Sequence, residues 1–254
     1  MIFDTHTHYD DKEFDHDREL VLADLKNHNI GTVVNVSSSL ASIKTTLDLT
    51  KKYDFIYGTV GVHPSETGEL TQESFAYLQE QAKQEKIVAI GEIGLDYHWK
   101  EPDKAIQKTW FLRQLSLAKE LDMPFIIHSR DAAEDTFDMI KSEYSNGQNG
   151  VIHCFSYSKE IAKKYLTMGF YLGIGGVVTF QNSKKLKEVV EYMPLSQLLL
   201  ETDCPYLAPV PYRGKRNFSG YLSYVIEEIA RLKNISIETV IETTTGNAKK
   251  FYRL

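Results

Sequence analysis

The chain has 254 residues, a formal net charge of −6, 42% hydrophobic and 25% charged residues. That balance supports one large buried core and excludes both a disordered chain and a surface that holds nucleic acid by bulk positive charge. No apolar stretch reaches membrane-spanning length, the first residues lack a basic n-region or apolar h-region, and the two cysteines, Cys154 and Cys204, are too few for a disulfide framework, so a cytoplasmic monomer with reduced thiols and no membrane contact is expected.

A first strand is predicted over 2–6 and runs into Asp4-Thr5-His6-Thr7-His8. Strand side chains alternate between faces, so His6 and His8 point the same way and offer two imidazoles to one ion. The polar, helix-like stretch that follows contains His16 and His28, which align with no strand end and read as solvated surface residues. Strands over 31–37 and 55–62 come next, the latter ending in Gly61-Val62-His63-Pro64, which brings His63 to the same end either as a direct ligand or, the preferred reading, as a substrate hydrogen-bonding group. A fourth strand over 87–93 carries Glu92. Asp96 shares its parity and is either a partner to a ligand or a helix N-cap. His98, beside Trp99, reads as structural.

The segment 103–121 is an amphipathic helix with Phe111, Leu115, Ala118 and Leu121 on one face. A strand over 124–128 ends in His128, and Arg130, two residues on, places a guanidinium fork on the same face as a phosphate contact. Strands over 151–155 and 170–175 follow, the first carrying His153. Gly173, Gly175 and Gly176 do not make a dinucleotide loop, since the third glycine would fall at Val178, and they read as close-packing positions. Lys184-Lys185-Leu186-Lys187 reads as a solvated helix face. The eighth strand, 198–202, leads to Glu201 and Asp203. The loop 205–217 then combines prolines with Arg213, Lys215 and Arg216. Two terminal helices are predicted, 219–233 and 236–252, the second opened by Ser-x-x-Thr and interrupted near Gly246, both covering the outside of the fold.

Eight alternating strand and helix units, with strands such as Phe125-Ile126-Ile127 and Leu198-Leu199-Leu200 apolar on both faces, predict an α/β protein built on parallel strands. An open doubly wound sheet would require a switch point, and no glycine fingerprint follows the first strand. The expected fold is a single (β/α)8 TIM barrel over 1–254, slightly distorted, with an extra C-terminal helix.

In such a barrel Glu92, His128, His153 and Asp203 all fall at the carboxyl ends of strands, where barrel chemistry is kept. Any one of them alone reads as a hydrogen-bonded core residue or a cap. Together with His6 and His8 they read as a two-metal site, because coordination neutralises carboxylates and uses lone pairs that would be costly to bury unpaired. His6, His8, Glu92 and Asp203 hold one ion in this reading, and Glu92 bridges to a second held by His128 and His153. Asp203 takes the proton of the attacking water, with Glu201 either orienting ligands or serving in that role instead. Imidazoles suit zinc, whereas carboxylates and water suit magnesium or manganese, so the metal's identity stays open.

Phe3-Asp4-Thr5-His6-Thr7-His8, Val60-Gly61-Val62-His63-Pro64, Gly91-Glu92-Ile93-Gly94-Leu95-Asp96-Tyr97, Ile127-His128-Ser129-Arg130, His153-Cys154-Phe155-Ser156 and Glu201-Thr202-Asp203-Cys204-Pro205-Tyr206-Leu207 resemble, in order, the motifs of the TatD family of metal-dependent deoxyribonucleases within the amidohydrolase-like barrel superfamily. The resemblance implies a divalent-metal phosphodiester hydrolase with His6, His8, Glu92, His128, His153 and Asp203 as ligand positions. Pro211-Tyr212-Arg213-Gly214-Lys215-Arg216-Asn217 resembles the family's basic loop, which implies a DNA-backbone contact. Phe218-Ser219-Gly220 departs from the family's acidic residue and proline. The expected activity is exonucleolytic cleavage of single-stranded DNA or strand ends. The alternative is a small-molecule amidohydrolase or phosphoesterase using the same metals.

Overall fold

The computed structural model describes residues 1–144 and 150–254. Eight strands, β1 (Ile2–Thr7), β2 (Ile30–Asn35), β3 (Ile56–Val60), β4 (Ile87–Asp96), β5 (Phe125–Arg130), β6 (Gly150–Ile152), β7 (Tyr171–Ile174) and β8 (Leu198–Leu200), lie side by side in chain order. Every pairing is parallel. Between them run α1 (Arg18–Asp24), α2 (Leu40–Lys52), α3 (Gln72–Gln81), α4 (Lys104–Glu120), α5 (Ala133–Glu143), α6 (Lys159–Thr167) and α7 (Lys184–Tyr192), followed by α8 (Leu222–Lys233) and α9 (Ile237–Tyr252). This is the expected (β/α)8 barrel. The ring closes through residues at and beyond the strand ends, where His8 N donates to Cys204 O at 2.8 Å and Asp203 N donates to His6 O at 2.9 Å. β6 and β8 stop at Ile152 and Leu200, earlier than the sequence predicts. No helix of the described residues is long and apolar enough to cross a membrane.

Alternation along the strands sorts side chains into two layers. Ile127, Ile152, Leu172 and Leu200 join the layer beneath the helices. Phe3, Val34, Ala89, Ile126, Val151, Tyr171 and Leu199, with Tyr57 against them, form the barrel interior together with Ala248, Phe251 and Tyr252 of α9. Here the structure corrects two expectations. α9 is not interrupted at Gly246, and its last turn does not lie on the outside: it plugs the amino-terminal end of the barrel. Tyr252 stacks on Phe3 with centroids 5.9 Å apart and donates its hydroxyl to Thr5 O at 2.7 Å. A mid-helix glycine costs about 1 kcal/mol, and burying Phe251 and Tyr252 offsets it by roughly 1.5–3 kcal/mol each. Ser236 caps the helix by accepting from Thr239 N at 3.1 Å. α8 begins at Leu222, after a 3-10 turn over Ser219–Tyr221.

Helix α4 matches its predicted span, capped by Asp103, which accepts from Ala105 N at 2.7 Å and Ile106 N at 3.1 Å. Its buried face carries two amides among the apolar residues. Gln114 accepts from Val62 N at 2.8 Å and donates to Val62 O at 3.1 Å, and Gln107 does the same for Asp96 at 2.9 Å each. These amides satisfy backbone groups just past the end of β3 and at the last residue of β4. Among the strand pairings' register slips, two bear on the mouth, one between Asp4 and Thr7 on β1 and one between Ile90 and Ile93 on β4. Such irregularities re-aim side chains, and these two flank His6 and Glu92.

Candidate metal centre

Glu92 sits at the centre of the barrel's carboxyl-terminal mouth, its side chain 4% exposed. One of its oxygens, Oε2, lies 3.5 Å from His6 Nε2 and 3.8 Å from His8 Nε2. The other, Oε1, lies 2.8 Å from His128 Nδ1 and 2.7 Å from His153 Nε2. Asp203 Oδ1 completes the first group at 3.3 Å from His8 Nε2 and 3.7 Å from His6 Nε2. Asp203 reaches it from beyond β8, with a left-handed backbone at φ 57°. The structure therefore brings together all six side chains expected to bind metal, drawn from five strands.

The hydrogen bonds behind these groups show that the set suits cations. His8 Nδ1 lies 2.8 Å from Val36 O, so it must carry the proton, leaving the Nε2 lone pair toward the centre. His128 Nε2 donates to Asp96 Oδ2 at 3.1 Å, leaving Nδ1 toward Glu92. His153 Nδ1 faces Glu201 Oε1 at 3.6 Å, leaving Nε2 inward. Imidazole whose far nitrogen is held by an oxygen, as in His8 and His128, is the usual arrangement of a metal-binding histidine, whereas the buried Nδ1 atoms of His6 and His153 have no hydrogen-bond partner. With lone pairs turned inward, as a metal site needs, ring nitrogens would oppose one another, His6 Nε2 and His8 Nε2 at 3.2 Å and His128 Nδ1 and His153 Nε2 at 3.3 Å. Only a cation or a proton relieves that opposition. Nitrogen and carboxylate donors of this kind fit divalent transition metals.

The pKa directions express the same pull. Burial opposes charge on His8, but the Asp203 hydrogen bond and the charges of Asp203 and Glu92 prevail and push it up to about 9. Burial likewise disfavours ionised Glu92, yet His153, His128 and His6 hold it well below the usual carboxylate range. His6 is lowered, first by burial and then by His153. Protons and metal ions therefore compete for one negatively charged pocket.

The remaining expected residues divide. His63 reaches the mouth: its Nδ1 accepts from Ser65 N at 3.2 Å, and Nε2 lies 3.8 Å from Glu92 Oε1. Burial and His128 lower it to about 3, so it is a neutral imidazole with its proton on Nε2. Arg130 is exposed on the wall of the cavity, about 760 Å³, above Glu92. Glu201 is buried behind His153 and accepts from Cys154 N, away from the cavity. Asp96 is the partner of His128 and not an N-cap. Arg213 stacks on Phe180 at 4.3 Å and Lys215 is exposed, and neither lines the cavity. Arg216 is committed elsewhere, in a fork to Asp17 at 2.6 and 2.8 Å with a further bond to Glu13 O at 2.6 Å. Its partners lie some two hundred positions away in the chain, beyond the reach of local pattern.

At the surface, His28 is exposed as expected and packs edge-on against Phe218 at 5.0 Å, Lys187 of the lysine run pairs with Glu228 at 2.8 Å, and His98, expected to be structural, is exposed and lies 3.7 Å from Asp131. Cys154 and Cys204 are free thiols. The sequence reading misses Asp4 and Tyr206. Asp4, buried and pushed up to about 7 by that burial against the opposing bonds from Thr202, accepts from Thr202 N at 3.0 Å and Thr202 Oγ1 at 2.7 Å and so fixes the turn that delivers Asp203.

The chain matches the family model of TatD related DNases over residues 3–253. It is 45% identical over 254 residues to YabD, an uncharacterized metal-dependent hydrolase of Bacillus subtilis, spanning 100% of both chains. It is 34% identical over 257 residues to YcfH, an uncharacterized metal-dependent hydrolase of Escherichia coli, spanning 100% of this chain and 96% of the relative. Among solved structures it resembles YJJV, a TatD homolog of Escherichia coli, with a TM-score of 0.93 at 27% identity, covering 100% of this chain and 98% of that one. The mouth's donor set and these likenesses agree: the chain belongs to the TatD related DNase family and is a metal-dependent hydrolase.

Proposed function

We propose that this chain hydrolyses phosphodiester bonds of DNA, acting at single strands or strand ends, with two divalent ions held by His6, His8, Glu92, His128, His153 and Asp203. The observation that carries the two-ion reading is Glu92, whose oxygens face two separate pairs of imidazoles. Ions bound there supply Lewis acidity at the phosphoryl oxygens and make water nucleophilic at neutral pH.

The side chains do the rest. Asp203, 15% exposed against 4% for Glu92 and 2% for Glu201, is the acidic group best placed to take a proton from water in the cavity. Glu201 holds the His153 ring instead of reacting. Neutral His63 presents Nε2–H to a phosphoryl or leaving oxygen, and Arg130 offers a two-pronged contact to the phosphate. A mouth ringed by loops admits a flexible end more readily than an uninterrupted duplex, which supports exonucleolytic action. Arg213 and Lys215 contact the strand away from the scissile bond.

A second reading, a small amide, lactone or phosphoester as substrate, is favoured by the carboxylates Asp10, Asp11 and Glu66, which line the same cavity as Arg130. Carboxylates there repel a polyanion and tolerate a small neutral or singly charged molecule. The deciding experiment strips the protein of metal and restores zinc, manganese or magnesium in turn. Each form is assayed on end-labelled single-stranded DNA, duplex DNA, a small phosphodiester and a lactone. Stepwise shortening of the single strand is expected, and turnover of the lactone alone would replace the first reading by the second.

A further inference from the structure

The cavity over Glu92 has two unlike walls. Arg130 and Ser129 stand on one, at the end of β5, while Tyr206, Leu207 and Val177 stand on the other. Tyr206 is 51% exposed and Leu207 38%, large apolar groups open to solvent beside a buried polar centre, a combination typical of binding sites. Tyr206 is nevertheless fixed at three points. Its backbone N donates to Asp203 O at 2.9 Å, its carbonyl accepts from Asn217 Nδ2 at 2.8 Å, and its hydroxyl donates to Asp11 Oδ2 at 2.7 Å. The ring also stands edge-on to His8, 6.3 Å between centroids. Leu207, at φ 53°, is seated because Gly176 has no side chain: a Cβ there would lie 2.1 Å from Leu207 O.

A flat ring tethered at its backbone and its hydroxyl loses little entropy when a second flat group covers it. We infer that Tyr206, backed by Leu207 and Val177, is a stacking shelf for the nucleobase next to the scissile phosphate and so a specificity-determining residue. This assignment rests on the phosphodiesterase reading above. It selects planar leaving or flanking groups without choosing among bases, because every base presents a π face. Tyr206 follows β8 and Arg130 ends β5, three strands away round the ring, so base and phosphate are received at different parts of the mouth.

The test compares a dinucleotide with the same phosphodiester lacking one base or the other, for the wild type, Tyr206→Phe and Tyr206→Ala. The wild type should favour the intact dinucleotide about tenfold in kcat/KM, chiefly through KM. Tyr206→Phe, which keeps the ring, should stay within about threefold of the wild type. Tyr206→Ala should lose about tenfold more on the intact dinucleotide than on the abasic one. A wild type indifferent to the missing base, or an equal loss on both substrates, overturns the shelf while leaving the hydrolase reading standing; the first comparison needs no variant to fold. Should the wild type cleave neither substrate, the phosphodiesterase reading fails by itself. Calorimetry with thymidine 5′-monophosphate and deoxyribose 5-phosphate then decides the shelf, tighter binding of the nucleotide supporting it and equal binding overturning it.

Discussion

Gly173 lacks a side chain where Glu201 needs space: a Cβ at position 173 would come within 2.1 Å of Glu201 Oε2. The glycine of β7 thereby sets the position of a carboxylate beyond β8, and that carboxylate faces His153 Nδ1. Gly173→Ala must push Glu201 away from His153. Partners of this kind are worth about 10- to 100-fold in metal affinity, so the variant should bind zinc at least tenfold more weakly with an unchanged circular dichroism spectrum. Zinc titration against a chromogenic chelator measures it, and wild-type affinity would refute the role given to Glu201.

Glu92→Ala removes the one group that faces both imidazole pairs. Turnover should fall by more than about 100-fold, since a two-ion site depends on its shared ligand, while thermal unfolding shifts little because a buried charge leaves with its desolvation cost. Metal content by elemental analysis should drop from the proposed two ions per chain to one or none. An active variant in metal-saturated buffer would show that the bridge is dispensable.

Arg213, Lys215 and Arg216 adjoin in sequence but should separate in experiment. Removing the charges of Arg213 and Lys215 should weaken DNA cleavage and lower its salt dependence, by about 0.7 per lost single-strand phosphate contact, with a small chromogenic phosphodiester cleaved nearly as before. Arg216→Ala should instead destabilise the fold by about 1 kcal/mol through loss of its partly exposed fork to Asp17. Urea unfolding and salt-dependent kinetics on the same three proteins distinguish the cases, and a uniform effect across them would contradict the division.

Glu228 bridges Lys187 and Arg231, both at 2.8 Å. The Arg231 hydrogen bond, against the opposing effect of burial and aided by Lys187, lowers its carboxyl to about 2 from 4.5. A lowered folded-state pKa gives stability that is fully present above pH 4.5 and is lost as pH falls toward 2. Glu228→Gln should therefore cost up to about 1 kcal/mol at pH 6, and the gap from wild type should narrow at pH 3. Urea midpoints at the two pH values provide the comparison, and a constant gap would mean that packing, not charge, is what the substitution removes.

The barrel was legible because continuous apolar strands and intervening amphipathic helices repeat along the whole chain. The side chains that cluster around Glu92 were legible because they punctuate strand ends. What escaped prediction depends on distant contacts or on local irregularity. Register slips on β1 and β4 re-aim His6 and Glu92 in a way that simple alternation does not describe. Arg216 finds Asp17 across nearly the whole chain, and Tyr206 is distinguishable from core tyrosines only by its exposure. α9 reads as an ordinary amphipathic helix, because nothing in its period says that Phe251 and Tyr252 turn inward.

That inward turn orders events in time as well as in space. While residues 248–252 are still being synthesised, the lower end of the barrel has no lid, and Phe3, Tyr171 and their neighbours stay wetted. Native burial of the interior layer must therefore wait for residues 248–252, leaving a chain stalled or terminated before them with a sticky, unsealed base for chaperones or proteases to recognise.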